Sequence, residues 1–175
     1  MTAQIFACGG TVEKYIGDEI FAVFGVPTVG DDDAVNALNC ADKMLEALDR
    51  WNTERLEPPL AIGIGLNYGP AVLGDVGSEH SMSFTVIGDT VNTASRLQAL
   101  TRTLETPLVV GGPLVDAVRA GSSGTAAALM RLLHDQGEQV LRGRSGAVRV
   151  WTRRTSEGQM RQTGAPIAPP RLDRR

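Results

Sequence analysis

Apolar and polar residues alternate in two short runs near the start of the chain. In TVEKYIG, Val12, Lys14 and Ile16 share one face, and in DEIFAVFG, Ile20, Ala22 and Phe24 share another. With Gly17-Asp18 between them these runs predict a β-hairpin, because glycine tolerates the positive φ of a tight bend. Residues 1–8 read as the end of a helix stopped by Gly9-Gly10. Pro27 to Gly30 is a loop. Beyond it Ala34, Leu38, Ala41, Leu45 and Leu48 recur at helical spacing. Asp31, Asp32 and Asp33 precede them and suit the positive end of that helix's dipole. A metal site is the other reading of this acidic run, and the helix start is the simpler one.

Pro58-Pro59 closes that segment. LAIGIGLNYG is aliphatic and predicts a strand, PAVLGDVG a second, SEHSMS a loop and FTVIG a short third strand. Asp89 is an N-cap candidate for a helix running to about Leu104, in which Val91, Ala94 and Leu97 are free to face the core. A strand near PLVVGG and a short helix near PLVDAVRA follow, then the more loosely written GSSGTAAA. EQVLRGRSGAVRVW has the pattern of a hairpin turning at GRSG. From about Arg153 the chain becomes polar, proline-bearing and non-periodic, and 153–175 reads as a disordered tail behind a single domain of residues 1–152. Hairpins mixed with helices indicate an α+β fold.

Composition narrows the function classes. The chain has 175 residues, 42% hydrophobic and 21% charged, with a net charge of −3. No cationic face is concentrated enough to call for nucleic acid or an anionic membrane. No apolar run approaches the ~20 residues of a membrane span, and the first residues lack the basic start and long apolar middle of a signal peptide. A cytoplasmic location is expected. Cys8 and Cys40 read as ordinary buried thiols of a reducing compartment. His80 and His134 are far apart, and no Cys/His group has zinc spacing.

The polar residues that could carry chemistry are ambiguous one at a time. Asp18 at a hairpin tip is a common turn residue, but it also presents hard oxygens of the kind Mg²⁺ takes. Asn92 and Arg96 lie four apart and share a helix face. They pair a neutral hydrogen-bonding amide with a forked cation suited to phosphate oxygens, and a solvated helix face would look the same. Arg142 and Arg144 flank Gly143 in the last turn, where they suit a phosphate or a charged strand edge.

Taken together and in order, GGTVEKYIGDEIFAVFG, IGIGLNYGPAVLGDVGSE and FTVIGDTVNTASRL closely resemble the catalytic domain of class III adenylate and guanylate cyclases, as does the following LRGRSGAVRVW. The resemblance runs from about Gly9 to Trp151 and is weakest around 120–135. It implies a ferredoxin-like antiparallel sheet with helices on one face. It also implies conversion of a nucleoside triphosphate to its 3′,5′-cyclic monophosphate and pyrophosphate, a phosphorus–oxygen lyase reaction at sites shared by two domains. On this chain the resemblance makes Asp18 a ligand of two Mg²⁺ or Mn²⁺ ions. Lys14 and Thr85 become the pair that reads the purine. Asn92 becomes the residue that orients the ribose, and Arg96 the one that stabilises charge at the α-phosphate. Arg144 is placed at the terminal phosphates, with Arg142 second. Lysine with threonine is the adenylate-type pair, so ATP is the expected substrate. By the family's geometry Asp18 serves Lys14, Thr85, Asn92 and Arg96 of the opposing chain.

The same resemblance shows what this chain does not carry. The family's domain begins with a strand bearing the other metal aspartate, then a phosphate-binding loop and helix. Here the first aspartate is Asp18. The first strand and half the metal site are expected to be missing, and little activity is expected of the chain alone. It would pair as a homodimer or with an intact cyclase domain. The alternative is a non-catalytic fragment that binds nucleotide or a cyclase partner.

Overall fold

Four consecutive buried residues, Leu108 to Gly111, form the strand around which the molecule is built. The computed structural model describes residues 1–55, 58–78, 81–121, 124–144 and 146–153. Its elements are α1 (Thr2–Ala7), β1 (Thr11–Ile16), β2 (Glu19–Val23), α2 (Asp33–Glu54), β3 (Ile64–Leu66), β4 (Val72–Ser78), β5 (Ser81–Ile87) and α3 (Asp89–Thr103), followed by β6 (Leu108–Gly111), α4 (Gly112–Ala120), α5 (Gly124–Arg131), β7 (Leu133–Val140) and β8 (Ala147–Arg153). The main sheet has the order β3-β6-β8-β7. β6 pairs parallel with β3, Val109 opposite Gly65, and antiparallel with β8, Val110 opposite Trp151.

A strand with both faces covered reads as continuous aliphatic sequence, and LVVG does. Leu108 and Val110 point into one cluster with Leu38 and Leu45 of α2, Val115 and Val118 of α4, and Leu129 of α5. Val109 and Val150 point the other way, onto Leu97 of α3 and Leu141. The fold is the expected α+β arrangement of antiparallel pairs and helices. Within the main sheet the β3–β6 pair is parallel, because the chain crosses over through α3 between them, and α3 covers the second face.

α3 reaches the sheet without a side-chain layer beneath it. A Cβ on Gly65 would lie 2.2 Å from the Gln98 backbone nitrogen and 2.3 Å from the Ala94 carbonyl oxygen. Glycine is required there so that helix backbone and strand backbone can touch.

Two hairpins stand apart from this sheet, β1–β2 and β4–β5. The first turns at Gly17 (φ 64°) and Asp18, as the alternation predicts. Its apolar side is anchored through Val12, Ile20, Ala22 and Phe24 onto Ile5, Cys8 and Cys40. Both thiols are free and buried. Burial and the neighbouring Cys8 thiol push Cys40 up to about 12.

Several local expectations change. SEHSMS is not a loop: Ser78 ends β4 and β5 starts at Ser81, while Glu79 and His80 lie outside the described residues. Within GSSGTAAA, read as loosely written, Gly124 begins α5, with Ala126 and Leu129 buried. Asp89 is the first helical residue rather than a cap. The N-cap is Gly88, and no side chain caps the helix. The buried stripe of α3 is Thr93, Leu97 and Thr101, so Val91 does not serve the core. β8 includes Arg153, whose guanidinium meets Asp42 of α2 at 2.9 Å. The rest of the expected tail, 154–175, lies outside the described residues.

Candidate active site

The β1–β2 hairpin is docked so that β1 faces β5. Lys14 Nζ donates a hydrogen bond of 2.8 Å to Thr85 Oγ1, between residues 71 apart in sequence. Thr85 is buried. Lys14 is 40% exposed and also lies 3.3 Å from Glu13 Oε1. A half-open ammonium with a hydroxyl beside it offers a donor and a donor–acceptor to a planar heterocycle.

Thr85 leads directly into α3 through Gly88. Asn92 on its second turn is exposed, and Arg96 one turn later is partly buried. The end of this helix is pinned by Asn67, which donates to the Thr90 carbonyl at 3.2 Å, and by the Thr90 hydroxyl, which donates to the Pro70 carbonyl at 2.6 Å.

The turn between β7 and β8 brings Arg144 onto the same helix. Its backbone N–H donates to the Leu141 carbonyl at 3.1 Å, and Gly143 takes φ 72°. Arg144 Nη1 then donates to Thr93 Oγ1 at 2.6 Å, and Nη2 lies 3.3 Å from Asp89 Oδ2. A Cβ on Gly143 would lie 3.8 Å from Arg96 Nη2, so this turn packs beside the Arg96 guanidinium. Arg142 in the same turn is exposed and enters no ion pair among the described residues. The two guanidinium groups of Arg96 and Arg144 beside one helix form a surface suited to phosphate oxygens.

The structure therefore joins Lys14 to Thr85, sets Asn92 and Arg96 on the next element, and adds Arg144 to them. It does not join Asp18 to these. Asp18 is exposed in the hairpin turn, and no group of three or more His, Cys, Asp or Glu able to hold a metal occurs among the described residues. Mg²⁺ is typically held by one or two carboxylates together with waters and substrate phosphates, so Asp18 would be one ligand of such an ion rather than a complete site. Sequence reasoning missed Asp89 and Thr93 as partners of Arg144. Their i,i+4 spacing on the Asn92 helix was the available signal.

The family described as the adenylate and guanylate cyclase catalytic domain matches residues 10–108. The chain belongs to this family. Among curated relatives, the adenylate cyclase of Anabaena cylindrica is 40% identical over 109 residues, which is 58% of this chain and 21% of that protein. Adenylate cyclase 1 of Rhizobium meliloti is 32% identical over 131 residues, 71% of this chain and 20% of that one. The chain thus spans about a fifth of the length of these relatives. Among solved structures, the guanylyl cyclase Cya2 superposes with a TM-score of 0.68 at 30% identity, covering 87% of this chain and 73% of that chain. A bacterial light-regulated adenylyl cyclase superposes with a TM-score of 0.70 at 26% identity, covering 93% and 77%. The cyclase domain is an α+β fold of the class III type, a class that generally uses divalent metals and works as dimers binding ATP or GTP. No described helix is long and apolar enough to cross a membrane.

Proposed function

We propose that this cyclase domain is an adenylate cyclase half-site: it holds the ATP base, ribose and α-phosphate in a cleft completed by a second domain. The observation that carries the reading is the 2.8 Å bond from Lys14 to Thr85, which makes one unit of the two side chains proposed to read adenine. The lysine donates to the ring acceptor and the threonine oxygen accepts from the exocyclic amine. Asn92 orients the ribose. Its 3′-oxygen attacks the α-phosphorus, the bond to the bridging oxygen of the β-phosphate breaks, pyrophosphate leaves, and the 3′-hydroxyl proton passes to solvent. Arg96 faces the charge that builds on the α-phosphate, and Arg144 holds the terminal phosphates. The protein's part is orientation and preorganised charge.

Exposed Tyr15, Ile16, Val72 and Ile87 support pairing with a second domain, either another copy or an intact relative, because they give the two hairpins apolar outer positions. In this reading Asp18 serves the cleft of the opposing domain, where it would share Mg²⁺ or Mn²⁺ with further ligands. A cytoplasmic location, where ATP is available, belongs to the same reading. The test is cyclic AMP formation by the full chain mixed with an intact cyclase domain whose own Lys, Asn and Arg have been replaced. Turnover that Lys14→Ala and Arg96→Ala abolish supports the reading. Turnover indifferent to both rejects it. A second reading, nucleotide binding without turnover, is favoured by the solitary Asp18. It predicts saturable ATP binding to the chain and no product in any pairing.

A further inference from the structure

The base-reading pair is accompanied by a third residue that the motif does not assign. β1 and β2 keep a regular register except between Val12 and Lys14, where Glu13 is left unpaired in a bulge. Successive side chains of a strand point to opposite faces, and a bulge breaks that alternation. Here it brings two consecutive side chains together, with Glu13 Oε1 3.3 Å from Lys14 Nζ. The Glu13 side chain is 11% exposed, against 40% for Lys14, and its Oε2 is buried with no hydrogen-bond partner. Burying a carboxylate oxygen unpaired is costly, and such a group calls for a reason beyond packing. A neutral side chain of the same length would fill this position without that cost.

We propose that Glu13 is a positioning residue that fixes the direction of Lys14 and so sets which purine the pocket accepts. This rests on the assignment of Lys14 and Thr85 to the base. An ammonium carries three N–H donors and no acceptor. One points to Thr85 Oγ1, and Glu13 Oε1 draws the same nitrogen as an ion pair at 3.3 Å. The bond and the ion pair together restrict where the remaining N–H groups can aim. Adenine presents a ring acceptor beside an exocyclic amine. Guanine presents a ring N–H beside a carbonyl. A donor held opposite the ring nitrogen is satisfied by adenine and meets guanine's N–H donor to donor. Thr85 Oγ1 receives one proton from Lys14 and keeps a lone pair for adenine's amine. Guanine becomes acceptable only if the ammonium swings to the carbonyl, and Glu13 is the anchor that prevents the swing. The carboxylate acts through Lys14 and touches no atom of the nucleotide.

The test uses the full chain paired with an intact cyclase domain whose own base-reading lysine has been replaced, so that only this chain reads the base. ATP and GTP are compared in turnover and in equilibrium binding. Wild type prefers ATP. Glu13→Gln lowers the ATP-to-GTP ratio of kcat/KM about tenfold, the scale of one directional contact, mostly through KM and with the melting temperature unchanged. Glu13→Met, similar in length and uncharged, does the same and serves where the glutamine variant is poorly folded. On the wild-type chain a resolved Lys14 Nζ resonance, slow to exchange with water, is expected. Its absence, a wild type without ATP preference, or an unchanged ratio in both variants overturns the proposal. If Lys14→Ala removes the preference while the Glu13 variants keep it, only Glu13 is misassigned. If Lys14→Ala leaves the preference intact, the base assignment itself fails.

Discussion

The four-stranded sheet and the β1–β2 hairpin are stabilised in different ways. In the sheet, Val109, Val110 and Val150 are fully buried and Leu108 is 1% exposed, and helices seal both faces. In the hairpin no residue is buried, and Tyr15 and Ile16 are more than half exposed. The hairpin holds its position through one apolar side on Ile5, Cys8 and Cys40 and through the Lys14–Thr85 bond. The proposed chemistry is distributed accordingly. Lys14 and Asp18 ride on an element with little packing of its own, and Asn92 and Arg96 on a helix seated directly on the sheet. Stability and recognition should therefore respond to different substitutions.

The largest expected effect is on stability alone. Leu108→Ala removes a fully packed side chain from the central strand and should cost about 2–5 kcal/mol, read as a lower denaturation midpoint with an unchanged slope. Next, Arg96→Ala should raise the barrier of the paired enzyme by about 2–4 kcal/mol while its melting curve overlays wild type. A large loss of stability in that variant would erase the distinction between the two regions. Thr93→Val should be smaller, about 1.5–3 kcal/mol for a bond to a charged group, seen as weaker binding of the triphosphate and sparing binding of adenosine. Ile16→Ser on the hairpin should move stability by no more than about 0.5 kcal/mol and weaken pairing with a second domain in sedimentation.

The last effect vanishes at neutral pH. Because the fold raises Cys40 from 9.0 to about 12, the folded chain holds its thiol proton where the unfolded chain has lost it. The associated stability is fully present below pH 9 and is lost as pH rises through about 12. Cys40→Ala should flatten the alkaline limb of the stability profile, and an unchanged limb would show that the thiol is not its cause.

Much of this was legible in the sequence because it is local. The hairpin follows from alternation around Gly17-Asp18, and α2 and α3 from apolar spacing. The candidate site residues are proposed from the order of three motifs rather than from any one of them. What was not legible depends on contacts across the chain. The length of the β4–β5 hairpin is set by pairing from Val72–Ile87 to Ser78–Ser81, which polar SEHSMS does not advertise. α5 is helical because Ala126 and Leu129 meet a core assembled from elsewhere. Asp89 looked like a cap, since acidic residues before helices commonly are, and it turned out to face Arg144, 55 positions away by number. Glu13 was invisible because alternation places it opposite Lys14, and only a bulge brings the two together.

The contact between Gly65 and α3 has a mechanical consequence. Main chain rests on main chain there, with no side chain to compress, so the wall that carries Asn92 and Arg96 is stiff. The opposite wall hangs on a hairpin with little packing of its own. For a nucleotide bound as proposed, the helix is the fixed support and the hairpin the one expected to adjust.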